Sequence, residues 1–460
     1  MKWNNLSLHK IKWICSFIVV LLPFFCSISN VFQKYLAVTL WAIMMWMFEL
    51  LPEEIVAIML PGLYILFDIT NYATAFSAWT TSTPWITLGG LMIGGMIVKS
   101  GLVLRIAYKS LLLTKGSLKG IVWGIVLTCT IFTPLIPSIM AKVALLVPVV
   151  IGICKVLKVE AKSATASALM LVVFFALWSP KMAFMTASTG SILTAGILEQ
   201  YLGVKITWLA WAKDMFIPGI LWMLVSIPLI YILRPQHLNL NKEYLELEYR
   251  KLGKITIDEK KTVTLITALL ILLIFSSWHK LPEGVLMLGI GCLGFFPGIG
   301  LLKSDDFSKI QFKVVFFLAG AVTIGAVASS IGITESVINF VQPYFEQMNS
   351  YELVMSIYIF SILANFLLNP LALIATLMIP IANLCSNLGY SATIGGYSMI
   401  MGFNQALFPY EIAPLMLVYG FGYLKLTHLI KVMVFRVVAG IIFMTVVTYP
   451  YWLYIGLLDK

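Results

Sequence analysis

Apolar runs of about the length that crosses a bilayer follow one another along almost the whole of this chain. The clearest cover 13–29, 35–50, 53–67, 84–98, 213–233, 263–278, 283–301, 314–331 and 430–457. A span needs ~20 residues of helix, and backbone groups in lipid must be paired within the segment. A succession of such runs therefore predicts an all-α polytopic membrane protein. Composition agrees: 60% of the 460 residues are hydrophobic and 11% are charged, against about 45–50% and about 25% in a soluble domain. A soluble enzyme, a disordered chain and a nucleic-acid binder are excluded as classes. The net charge of +11 sits in short segments between apolar runs, where it marks topology rather than a nucleic-acid partner.

Cysteine and histidine add no chemistry. Cys15, Cys26, Cys129, Cys154, Cys292 and Cys385 are scattered through apolar runs, and His9, His237, His279 and His428 do not cluster. Neither a disulfide framework nor a zinc site is expected. The first run, Ile14 to Phe25, follows Lys2, Lys10 and Lys12 without a small-x-small cleavage site. It reads as a retained helix rather than a signal peptide.

Two stretches are too long for one span and carry proline in the middle. Residues 120–160 break at Thr133-Pro134-Leu135-Ile136-Pro137-Ser138, and residues 352–389 break at Asn369-Pro370. Each is expected to be a re-entrant hairpin, whose non-helical tip is tolerated only when buried or lining a cavity. Residues 163–202 and 392–424 are expected to be interrupted helices, broken around Thr186-Ala187-Ser188-Thr189-Gly190 and Phe408-Pro409-Tyr410-Glu411. The halves match at an offset of 231: Gly89 with Gly320, Gly101 with Gly332, Ser138 with Asn369, Cys154 with Cys385. The expected organisation is a first repeat over 1–233, a linker over 234–262 and a second repeat over 263–460. The first repeat would hold scaffold helices 13–115, hairpin 120–160, broken helix 163–202 and helix 213–233. The second would hold scaffold helices 263–342, hairpin 352–389, broken helix 392–424 and helix 430–457.

Lys99, Arg105, Lys109, Lys115 and Lys119 read as one basic loop, 234–261 as a basic polar loop, and Val314 to Leu424 lacks Lys and Arg altogether. With a cytoplasmic N-terminus, eleven crossings and two hairpins put nearly every basic cluster inside. The C-terminus then lies outside, and the second repeat is inverted. Paired, interrupted segments in two halves point to the binding site of a secondary transporter.

Helices that start at mid-membrane present free N–H groups and a positive dipole end, which suit an oxyanion. The candidate anion-binding residues are Pro137, Ser138 and Lys142 at the first tip, and Thr186, Ser188 and Thr189 at the first break. Asn365 and Asn369 near the second tip, with Tyr410 and Glu411 at the second break, complete the set. Lys142 lies one turn past the first tip, either in the site or snorkelling to the cytosolic interface. Lys181 and Glu411 are each either site residues or partners in a structural ion pair. The hydroxyls and Asn369 have capping as their alternative role. Glu49, Glu53 and Glu54 around Pro52 read as an interfacial turn.

Several of these segments resemble the divalent anion:sodium symporter family of di- and tricarboxylate and sulfate carriers. Trp46-Met47-Phe48-Glu49-Leu50-Leu51-Pro52 is similar to its W-x-x-E-x-x-P signature. Gly101-Leu102 followed by Arg105-Ile106-Ala107 is similar to T-G-L-x-x-R-I-A. Pro137-Ser138-Ile139-Met140-Ala141-Lys142 stands where the 2-oxoglutarate/malate and citrate/tartrate exchanger branch has P-S-N-T-A-R. Phe184-Met185-Thr186-Ala187 and Gly203-Val204-Lys205-Ile206-Thr207-Trp208 resemble its F-L-T-A and G-V-x-I-T-W. The resemblance implies a mobile transport domain of hairpins and broken helices, an elevator motion, and a scaffold that forms a homodimer. It also implies Ser-Asn-Thr at both tips, for substrate and sodium. Here the tips read Ser138-Ile139-Met140 and Asn369-Pro370-Leu371, which leaves degenerate sodium sites near Ser138 and Asn369. Lys142 matches the exchangers' basic residue and takes the place of an ion's charge.

The reading is therefore a secondary transporter of a small organic anion, of di- or tricarboxylate type, working by exchange or without sodium. It would lie in the plasma membrane of a prokaryote, with lipid, its anionic substrate and a second copy as partners and no cofactor beyond a coupling Na+ or H+. The alternatives are an inorganic-anion carrier or ion/proton antiporter, a polytopic transferase, and a channel. The long loop pairs Asp258-Glu259 with no nearby histidine, which disfavours a transferase.

Overall fold

The computed structural model describes residues 2–48, 50–114, 116–136, 138–238 and 240–459. Glu49, Lys115 and Pro137, named above, lie outside the described residues. Every regular element among the described residues is helical. Among the described residues, seven helices of at least 18 residues are long and apolar enough to cross a bilayer. The bent pair Ser82–Lys99 and Leu102–Leu113, with 65° between its axes, adds an eighth. Leu118–Phe132, Glu283–Leu293 and Ser350–Ala364 are shorter apolar helices.

Eight helices build the interrupted elements. In the first half these are α1 (Leu118–Phe132), α2 (Ile139–Val156), α3 (Ala164–Trp178) and α4 (Thr189–Leu202). In the second they are α5 (Ser350–Ala364), α6 (Pro370–Asn387), α7 (Ala392–Phe403) and α8 (Ala413–Gly420). Helices α2 and α6 differ by 231 residues at both ends. Each starts on a polar cap: the Ser138 hydroxyl accepts from the Ala141 N–H at 3.2 Å, and the Asn369 side chain from the Ala372 N–H at 2.9 Å. A cap of this kind contributes about 1 kcal/mol, and Pro370, with no N–H to lose, suits the first helical position.

Helix α3 is buried at every residue from Thr165 to Trp178, and α7 at every residue. An all-round apolar helix needs neighbours on all sides. These have them: α3 packs on α1 and α2, and α7 on α5 and α6. Further contacts pair up across the halves. Ser82–Lys99 packs on Glu283–Leu293, and Glu53–Leu66 on Phe312–Ser330. Gly89 lies against the Met287 backbone and Gly320 against the Ala57 backbone, so closely that a Cβ at either glycine would overlap it. Gly101 and Gly332 follow matching helices with φ of +79° and +77°, a conformation costly to any side chain. Likewise α4 packs on α6, and α8 on α2.

Three expectations need correction. The stretch 99–119 is not a loop: Leu102–Leu113 is a helix. Its Arg105 is buried, because the guanidinium holds Glu259 at 2.6 Å and the carbonyls of Leu252, Gly253 and Lys254. The segment 234–261 is also not all loop, since Asn241 caps a helix over Lys242–Lys251. The interruptions start earlier than the sequence indicates. After α3 the chain runs as short 3-10 turns from Ser179, where Pro180 cannot supply a helical N–H, and after α7 it leaves the helix at Asn404.

Candidate functional site

A cavity of about 210 Å³ lies where the tips, the turns from α1 to α2 and from α5 to α6, meet the breaks after α3 and α7. Ser138, Ile139 and Met140 come from the first tip, and Asn369, Pro370 and Leu371 from the second. The end of α3 contributes Trp178, followed by Lys181, and the start of α4 contributes Ser188 to Ser191. Ile400 and Phe403 of α7, and Ile412 to Pro414 at the start of α8, close another side. Glu53, at the start of Glu53–Leu66, and Gln311 and Val314, at the start of Phe312–Ser330, border it.

Local chemistry explains why these polar groups stand here. Ser188 is extended and caps α4, accepting from the Ser191 N–H at 3.2 Å and sharing a 2.9 Å hydroxyl pair with Ser191. Asn369 caps α6 through its oxygen and donates its amide to Glu53 Oε1 at 2.9 Å. Three helices of 14 residues or more thus point capped N-termini at one space. That arrangement suits negative charge.

A second cavity, of about 400 Å³, adjoins the first, and Ser138 and Gln311 border both. It runs along Gly90 to Lys99 to Asp306 and Lys309. Lys99 pairs with Asp306 at its end. The Lys99 ammonium, helped by the Lys303 N–H, holds the Asp306 carboxyl below its ordinary value.

Of the candidate residues, the structure brings Ser138, Ser188, Thr189 and Asn369 to the cavity. Pro137 lies outside the described residues. The others do not line it and are turned to other partners. Lys142 does not snorkel: it is 1% exposed, and its ammonium donates to the Ala187 carbonyl at 3.3 Å. Thr186 donates to the Pro134 carbonyl at 2.8 Å and accepts from Trp208 Nε1 at 3.0 Å. Glu411 accepts from the backbone N–H groups of Leu407 and Phe408 and from Asn365 Nδ2, at 3.1, 2.8 and 3.3 Å. It folds its own break rather than pairing with Lys181. Asn365 also donates to the Gln405 carbonyl. Tyr410 is exposed and stacks on Phe408.

Sequence reasoning missed Arg436, which is fully buried. It donates to the Asn404 carbonyl at 2.7 Å, Asn404 Oδ1 at 2.6 Å, Gln405 Oε1 at 3.2 Å and the Ser179 hydroxyl at 3.1 Å. It therefore clasps the starts of both breaks, backed by Trp222 and Phe175. An arginine inside the apolar run 430–457 was the available signal, since an intramembrane charge marks function or a tightly held partner. The arrangement offers anion recognition by dipoles and hydroxyls, with cations fixing the breaks.

The model of the sodium:sulfate symporter transmembrane region matches residues 4–458. Dicarboxylate transporter 1, chloroplastic, of Spinacia oleracea is 27% identical over 53% of this chain and 44% of its own length. The chain thus spans less than half of that relative. The L-tartrate/succinate antiporter of Escherichia coli (strain K12) is 23% identical over 94% of this chain and 96% of its own length. Among solved structures, the YdaH transporter of Alcanivorax borkumensis superposes with a TM-score of 0.57 at 14% identity. It covers 86% of this chain and 90% of that one, a likeness of fold.

Proposed function

The chain belongs to the sodium:sulfate symporter transmembrane-region family, and on that footing we propose that it is a secondary active transporter of an organic carboxylate. It is a multi-pass membrane protein of a transporter family. Dicarboxylate, tartrate and succinate are what its relatives' names give, so such anions head the substrates to test. The observation that carries the proposal is the cavity shared by two hairpin tips and two breaks, with Ser138, Ser188 and Asn369 capping helices that point into it.

The mechanism we propose is alternating access by an elevator-type movement of α1–α8 against the scaffold helices. Three observations support it. The interrupted helices pack chiefly among themselves, matching contacts recur in the two halves, and a second cavity leads from Ser138 toward Lys99 and Asp306. The proposed orientation has a cytoplasmic N-terminus, two inverted repeats and a homodimer formed through the scaffold, in the inner membrane of a prokaryote.

We also propose that transport proceeds without sodium, as exchange. The carbonyls of a broken helix are the natural ligands of a coupling cation. Here the Ala187 carbonyl at the first break is taken by the Lys142 ammonium, and the Asn404 carbonyl at the second by the Arg436 guanidinium. The hydroxyl and amide set at the tips is correspondingly thin, with Ile139, Met140, Pro370 and Leu371 in the cavity wall.

Counterflow in proteoliposomes tests this. Vesicles preloaded with unlabelled succinate, malate, tartrate or citrate should accumulate the labelled form transiently, equally in sodium and in choline buffers. Accumulation that depends steeply on sodium refutes the coupling, and no counterflow with any carboxylate refutes the carrier reading. Counterflow with sulfate alone favours the inorganic-anion alternative.

A further inference from the structure

An ammonium group stands in the cavity wall. Lys181 is 7% exposed and stands in the cavity wall beside Ser188 and Ser191. Its Nζ lies 3.0 Å from the centroid of the Trp178 ring. Among the described residues no carboxylate pairs with it, and no hydrogen bond from it is present. A ring face attracts a cation but accepts its N–H groups only weakly, so the ammonium keeps donors for an anion. The neighbouring N-terminus of α4 favours negative charge at the same place.

The rest of the cavity has a different character. Ile139 and Met140 at one tip and Pro370 and Leu371 at the other face it with apolar groups, and Ile374 and Phe403 extend that surface. Asn369 is spent on both sides, its oxygen on the Ala372 N–H and its amide on Glu53. Glu53 itself borders the cavity. A second substrate carboxylate would find only the dipole ends of α2 and α6 at the tips, with no cation, amid apolar side chains and the like charge of Glu53, and desolvated charge without a full partner is strongly disfavoured.

From this, resting on the carboxylate-carrier reading, we infer that the cavity selects carboxylates with one charged end and an apolar body. Lys181 receives the carboxylate, and the two hairpin tips enclose the apolar part. Compact dianions such as succinate fit less well. Each methylene buried by the tips raises affinity roughly fourfold at most.

The test uses the full chain in lipid nanodiscs, with empty discs subtracted, and isothermal titration of butyrate, pentanoate, hexanoate, succinate and 1-hexanol. The inference expects affinity to rise two- to fourfold per methylene, with hexanoate at least tenfold tighter than succinate. Lys181→Met should weaken hexanoate at least tenfold while leaving 1-hexanol within threefold, and Lys181→Arg should keep hexanoate binding. Met140→Thr, which puts a hydroxyl on the tip, should shift the hexanoate-to-succinate ratio toward succinate at least threefold. That variant and the chain-length series decide the matter even where Lys181→Met does not fold. Succinate binding as tightly as hexanoate, or hexanoate affinity unchanged in Lys181→Met, overturns the inference. If succinate counterflow is robust while hexanoate does not bind, the inference falls and the carrier reading stands. If no carboxylate gives counterflow, the carrier reading itself has failed.

Discussion

The Lys142 ammonium donates to the Ala187 carbonyl at 3.3 Å, and so ties α2 to the break between α3 and α4. The lysine stands one turn past the Ser138 cap yet does not line the cavity between the tips. Its charge holds the fold of the break rather than the substrate.

Lys142→Met should therefore change substrate affinity by less than about threefold, or roughly 0.65 kcal/mol. Methionine keeps the length of the side chain and leaves only the Ala187 carbonyl short of a donor, a loss of about 1 kcal/mol in stability. Titration of the membrane-inserted variant checks this. A thirtyfold loss would move the charge into the site.

Arg436 should behave differently. Replacing it by methionine leaves Gln405 Oε1 and one contact each to Asn404 Oδ1 and the Ser179 hydroxyl without their donor, in a fully buried setting. Unsatisfied buried groups cost about 1–3 kcal/mol each, so a net destabilisation of roughly 2–4 kcal/mol is expected. Arg436→Lys should recover little of it, because a single ammonium cannot span Asn404 and Ser179 as the planar fork does. Thermal unfolding in detergent, read for both variants, decides it.

The contrast between these two cations shows how far the sequence could be read. Length and proline placement located the break in each of two long runs, because a 40-residue apolar run with Pro134 and Pro137, or with Pro370, cannot be one straight helix. The matched glycines were visible for a physical reason as well: Gly89 and Gly320 lie where helix backbones touch. What could not be read was the direction of a side chain on a helix that is apolar all round. On α2, nearly every position is hydrophobic, so no polar stripe tells which way Lys142 turns. The same uniformity hid Arg436 in the run 430–457. Glu411 looked like a site residue because it sits at a break, and it does sit there, but the N–H groups that the break frees are the ones it binds. Arg105 has the look of a loop cation in the sequence because its helix is short and follows Gly101.

The Arg105–Glu259 pair joins the first half to the end of the linker, where the helix Ile257–Ile274 begins, with side chains 9% and 3% exposed. Removing one partner strands the other, so Arg105→Met should cost about 3 kcal/mol. Glu259→Gln added to Arg105→Met should restore at least 1 kcal/mol, since no buried carboxylate is then left unpaired. A double-mutant cycle on unfolding midpoints measures this. Strict additivity would mean that the linker carbonyls, not Glu259, are what Arg105 holds.

The central claim is that substrate occupies the space between the two tips, where Ser138 borders both cavities. The most direct measurement is the labelling rate of Ser138→Cys by a membrane-impermeant thiol reagent, in otherwise cysteine-free protein in proteoliposomes. It is taken with and without a saturating carboxylate that gives counterflow. The account predicts that the cysteine is reactive and that the carboxylate slows its labelling at least fivefold, half-maximally near the concentration that half-saturates counterflow. A labelling rate indifferent to every transported carboxylate would contradict it.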